Sequence, residues 1–149
     1  MSVRVRRGRL ASIIAAVAAV AMLVPGNAIA FDHHFSVISK NVGGHQTADG
    51  FAFRIALLNT ANDRNRVGHG HGRCVAIERT HKLRCKVVAH FDGSIGGFGD
   101  LFLKGNLGRG DVTLNVADGR GDFGGSVAGK ARVDSINNRL DLVSFDLTG

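Results

Sequence analysis

From residue 31 onward the chain has no stretch of ten or more residues in which apolar side chains recur with the 3.6-residue period of a helix. It is built instead from short runs of alternating apolar and polar residues, each ended by Gly, Asn or Asp. Alternation at period two turns one face of an extended segment toward a core and the other toward solvent, so the pattern specifies strands. Eight are expected, over residues 33–39, 51–59, 66–77, 84–91, 94–104, 111–117, 123–134 and 140–147. In the second, Phe51, Phe53, Ile55 and Leu57 share one face. Turn chemistry separates the runs: Asp92-Gly93, the glycine-rich Asp118-Gly119-Arg120-Gly121-Asp122, and Asn137-Asn138. Gly96, Gly97 and Gly99 should bend the fifth strand or give it a bulge.

Connections this short join antiparallel neighbours. With no helix available to cover an open edge, a meander of eight such strands is best satisfied by curling until the last meets the first. The expected fold is therefore all-β, a closed antiparallel eight-stranded barrel preceded by a signal-peptide helix. A two-sheet sandwich is the architectural alternative. An eight-stranded barrel is just wide enough inside to be filled by side chains or to hold one small ligand.

The first thirty residues are set apart from this pattern. Arg4, Arg6, Arg7 and Arg9 precede an apolar or small run over residues 10–24, and Pro25-Gly26 then breaks it ahead of Ala28-Ile29-Ala30. Basic start, greasy middle and small-x-small end are the layout of an export signal, expected to be cut after Ala30. Arg6-Arg7 also permits a twin-arginine route. The apolar run is shorter than the roughly 18 to 20 residues that cross a bilayer, so no stable membrane anchor is expected after cleavage. The expected division is residues 1–30 as signal peptide and 31–149 as one barrel domain, in a secreted or cell-envelope protein.

Removing the leader changes the charge argument. The full chain carries a formal +7, but four of its 19 Lys and Arg leave with the leader, and 15 cations then face 12 acids. A balance this even does not support nucleic-acid binding. Export also meets an oxidising compartment, where Cys74 and Cys85, on strands joined by a tight turn, are expected to form one disulfide. Their spacing fits neither a C-x-x-C redox pair nor a zinc-ligand pattern.

Several segments together resemble the allene oxide cyclase barrel group, which includes the plant dirigent proteins and many secreted actinobacterial proteins. Asp49-Gly50-Phe51-Ala52-Phe53 resembles an early strand of that group. Arg66-Val67-Gly68 with Gly72-Arg73-Cys74 resembles its basic-aliphatic-glycine step leading to a cysteine, and Leu83-Arg84-Cys85 the return partner. Gly93-Ser94-Ile95 and Gly99-Asp100-Leu101-Phe102 match the next hairpin. The segment Val116-Ala117-Asp118-Gly119-Arg120-Gly121-Asp122-Phe123 stands where the group has a T-G-G-T-G-x-Y/F turn, keeping Gly119, Gly121 and Phe123 of it, and Ala128-Gly129 stands at its A-R-G triplet. The likeness spans nearly all of residues 49–148. It implies a barrel with a ligand-holding lumen, cofactor-free cyclisation or coupling chemistry, and assembly into dimers or trimers. Two departures bear on the chemistry. The plant cyclases use a pocket glutamate, whereas the only Glu here, Glu78, falls in a hairpin turn. Dirigent proteins carry an early His-Asp motif, and this chain has Asp32-His33-His34 in the reverse order.

A polar residue sharing a strand face with apolar ones usually has a reason to be there, because an unpartnered buried charge is costly. On that ground Arg54, Asp100, His90 and His33 are the candidate ligand-binding residues, with Arg54 suited to a carboxylate or developing oxyanion and Asp100 or His90 to proton transfer. Alternation also permits the opposite parity, with Arg54 outside beside Ala52 and Ala56, and His90 outside beside Lys86. His69-Gly70-His71 sets two imidazoles on one strand face and makes a zinc or copper site chemically possible, though nothing in the chain fixes a third ligand. No catalytic residue, metal or cofactor is assigned. The nine Phe residues, without any Trp or Tyr, point to a core or lumen lined by purely apolar rings. The expected partner is a small hydrophobic molecule. A non-catalytic structural or interaction barrel and a histidine-based metal binder are the alternatives.

Overall fold

A computed structural model describes residues 33–110, 112–125 and 128–148. Within it eight strands follow one another in chain order around a closed barrel. They are β1 (His33–Gln46), β2 (Gly50–Asn59), β3 (Arg66–Ala76), β4 (Leu83–Asp92), β5 (Phe98–Leu107), β6 (Thr113–Gly121), β7 (Ala128–Ser135) and β8 (Leu140–Thr148). All neighbours are antiparallel, and β8 returns to β1 in a register running from His33 opposite Leu147 to Lys40 opposite Leu140. That ladder removes both sheet edges, so the chain forms the closed all-β barrel that its alternation specifies and not the sandwich. The export signal expected over residues 1–30 lies outside the described residues.

Several boundaries differ from the sequence reading, among them the start of β7, at Ala128 and not at residue 123. β1 continues past Ser39 to Gln46 because residues 40–46, which lack apolar alternation, are held by β2 across a bulge between Asn41 and Gly43. Asp118-Gly119-Arg120-Gly121 is strand and not turn: Gly119 lies opposite Leu101 and Arg120 opposite Asp100, and the chain reverses only afterwards. β5 begins at Phe98, later than expected, since the β4–β5 connection takes in both Gly96 and Gly97. In each case long-range pairing decides what local composition leaves open.

The interior is built from every second residue of each strand, and one end of it is solid. Phe35 stacks on Phe145 with ring centroids 4.9 Å apart, and Phe91 meets both edge-on at 5.5 Å. Phe123 completes the cluster, 5.5 Å from Phe91. Offset and edge-to-face pairs each add about 0.5–1.5 kcal/mol beyond simple burial. The β4–β5 connection folds over this plug. Gly96, at φ 75°, comes so close to the Phe35 ring that a Cβ there would lie 2.6 Å from it. The same connection is pinned at Asp92, whose carboxylate accepts the Ser94 N–H at 2.8 Å and is held below the usual aspartate range by its hydrogen bonds with Ser94.

Cys74 and Cys85 are register partners on β3 and β4 and form a disulfide, as expected from the hairpin. Both are buried, so the bridge is part of the inner wall and not a surface clip. It closes a loop of 11 residues in sequence separation, for which the chain-entropy estimate is about 3 kcal/mol. Replacing both cysteines with serine should lower the free energy of unfolding by about that amount in a urea titration. An unchanged midpoint would show that the bridge adds nothing to the folded barrel.

Candidate functional site

Inner-wall side chains from all eight strands leave a cavity of about 240 Å³ above the phenylalanine plug. Phe53, Ile55, Leu57, Val87, Leu103 and Val143 supply most of its wall. Its far limits are Asn41, Phe51, Cys74 and Asp141, close to the strand ends that carry the β1–β2, β3–β4 and β7–β8 turns. The lumen therefore has a closed aromatic floor and a mouth at the opposite end.

The reason there is space at all lies in β3. Its inner positions include Gly70 and Gly72, while the alternate residues His69 and His71 are exposed. Phe53 and Ile55, from neighbouring β2, lean over the bare backbone: a Cβ on Gly72 would lie 2.5 Å from the Phe53 ring. One wall of the barrel is thus stripped of side chains, and its neighbour's side chains lie against it instead of crossing the lumen.

The lumen is apolar apart from a small polar group at the mouth: Ser39, Asn41 and Asp141. Ser39 and Asp141 are cross-strand partners. Among the described residues nothing hydrogen-bonds or ion-pairs with the Asp141 carboxylate. Partly shielded from water and without such a partner, its charged form is disfavoured, and this partial burial raises its pKa above the ordinary value of 3.8. A carboxyl of this kind can donate a hydrogen bond to a bound molecule when protonated and accept a proton when not. Sequence reasoning passed over Asp141, although the signal was present: Asp141, Val143, Phe145 and Leu147 fall on one face of an alternating run.

The residues singled out from sequence lie elsewhere. Arg54, His90 and Asp100 stand on the outer wall, where the alternate parity puts them, while Phe53, Ile55, Ala89 and Leu101 face inward. The structure does join two of them: His90 Nδ1 is 2.6 Å from Asp100 Oδ1. The His69 ring is 5.0 Å from that of His90. Arg54 is apart from this pair, on β2 opposite His71. His33 opens β1 in register with Leu147. Among the described residues no three His, Cys, Asp or Glu side chains are grouped so as to hold a metal ion.

No family model matches the chain, and no curated protein matches it. Solved structures do. A pyocyanin demethylase superimposes with a TM-score of 0.60 at 17% identity, over 78% of this chain and 100% of that one. A pterocarpan synthase dirigent protein superimposes with a TM-score of 0.57 at 14% identity, over 77% of this chain and 84% of that one. The chain has a dirigent-like barrel fold.

Because Asp141 holds its proton more tightly in the folded state, stability should fall as pH rises from 3.8 through the raised folded value, then level off. Asp141→Asn removes that loss. The variant should unfold at higher urea than the parent at neutral pH, and the gap should close below pH 3.8. A gap of the same size at both pH values would show that desolvation of the carboxylate is not its source.

Proposed function

We propose that this chain is an exported ligand-binding barrel that takes a small apolar molecule into its lumen, with Asp141 meeting the polar end of that molecule at the mouth. One observation carries the reading: an apolar cavity of about 240 Å³, closed below by four phenylalanines and bordered above by an unpartnered carboxyl. A cavity lined by apolar groups with a few converging polar ones is the usual form of a small-molecule site. Its size suits a compact ligand, not an extended lipid.

The same lumen supports cofactor-free cyclisation or coupling. Walls that restrict a reactive molecule to one conformation lower the barrier through orientation, and a proton-holding Asp141 would stabilise charge developing at the mouth. The resemblance to cyclase and dirigent sequences supports this direction, as do two fold neighbours named for acting on pyocyanin and for synthesising a pterocarpan. The disulfide and the leader-like first thirty residues support a place outside the cytoplasm.

Titration with an apolar fluorophore such as N-phenyl-1-naphthylamine should give saturable binding with one dye per barrel and enhanced emission. Ala131, fully buried, lines the cavity. Ala131→Phe fills that space and should weaken binding about tenfold or more, roughly the loss of one well-packed apolar group, while circular dichroism stays that of a barrel. Binding that is non-saturable, or that Ala131→Phe leaves unchanged, would place the dye outside the lumen and end this reading.

A further inference from the structure

The outer wall carries a feature that the lumen does not explain. Cross-strand register sets Arg73 of β3 opposite Lys86 of β4, and Lys86 opposite Lys104 of β5. The row continues through Asn115 of β6 to Lys130 of β7. All five residues are exposed. The row is bounded by Ala52 on β2 and by Asp146 on β8, where His34 Nδ1 lies 3.2 Å from the Asp146 carboxylate. Among the described residues one further acid reaches it, Asp49, whose Oδ1 is 3.5 Å from Arg73. Among the described residues Lys86 and Lys104 have no ion-pair partner. Like charges directly opposite each other on neighbouring strands destabilise a sheet. The barrel thus tolerates a repulsive row that an external anion would relieve.

We infer that this row binds a linear acidic polysaccharide, carboxylated or sulfated, laid across the strands around the barrel. Geometry selects the partner. Strands are about 4.8 Å apart, so the row extends about 19 Å along the wall. Its four inter-strand steps are half of those in an eight-stranded barrel, so Arg73 and Lys130 face away from each other. A flat anionic bilayer touches only two or three of these residues at once, whereas a thin flexible chain reaches them all. Single-stranded nucleic acid is favoured by successive aromatic rings on which bases stack, whereas the trough beside the row offers a single phenylalanine, Phe102, with the Arg120 guanidinium already 5.1 Å from its centroid. Beside it runs a trough that includes Val88 and Phe102, with Arg73, Lys86 and Lys104 along it. Apolar faces of sugar rings can rest there while their acidic groups meet the cations.

The test uses the full chain at low salt, with dextran sulfate, neutral dextran, oligothymidylate and phosphatidylglycerol vesicles as probes. Dextran sulfate should bind about tenfold or more tighter than each of the others, and weaken steeply with added salt. Lys86→Glu places an acid between Arg73 and Lys104, so it should raise the melting temperature while lowering dextran sulfate affinity about tenfold. Arg139→Glu, the same charge change in the β7–β8 turn, should leave affinity within about twofold, since it lies off the row. Equal losses from both variants would reduce the effect to net charge and overturn the proposal. So would equal binding of neutral dextran, or tighter binding of oligothymidylate or vesicles. The fluorophore titration reads the lumen separately, so either idea can fail alone.

Discussion

The ladder between β1 and β8 is the interaction on which the rest depends. Without it the sheet would have two open edges and a concave apolar face exposed to water. With it, the inner residues of eight strands are forced into one narrow column, and packing within that column sets the character of each end. Four phenylalanine rings pack together at one end. Toward the other, β3 contributes glycines where a side chain would otherwise project, and a cavity remains. Floor and cavity are two outcomes of one constraint: a fixed diameter filled with different amounts of side chain.

Much of this fold was legible because strand alternation and turn chemistry are local signals. That Phe51, Phe53, Ile55 and Leu57 share one face was readable from spacing alone, and so was the facing of Cys74 and Cys85 across a hairpin. What stayed hidden depends on distant partners. Residues 40–46 have no apolar rhythm and are strand only because β2 pairs with them. Asp118 to Gly121 have the composition of a turn, yet β5 holds them extended.

The candidate site was less legible, for a related reason. A charged residue between two apolar ones on a strand is outward if those neighbours are core, and inward if they are not, so parity must be known before polarity can be interpreted. Arg54 between Phe53 and Ile55 shows the difficulty: its neighbours face the lumen and its own side chain is outside. Asp141 is the reverse case, an acid in phase with Val143, Phe145 and Leu147. The outer wall divides its charges differently from the lumen. Its cations can remain in water and need no partner inside the protein, whereas a single carboxyl at the mouth is enough to give an apolar cavity a direction.

Among the described residues one seam of the barrel carries fewer register pairs than the others. Among these residues β6 and β7 share three register pairs, Thr113 with Arg132, Leu114 with Ala131 and Asn115 with Lys130, extended by the Val133 N–H donating to the Val112 carbonyl, while β7 and β8 share eight. A closed cylinder that must breathe will part where the fewest rungs hold it. Leu114 and Ala131, two of the residues joined there, also line the cavity. A local parting of this seam would therefore expose the cavity from the side while the aromatic floor stays packed.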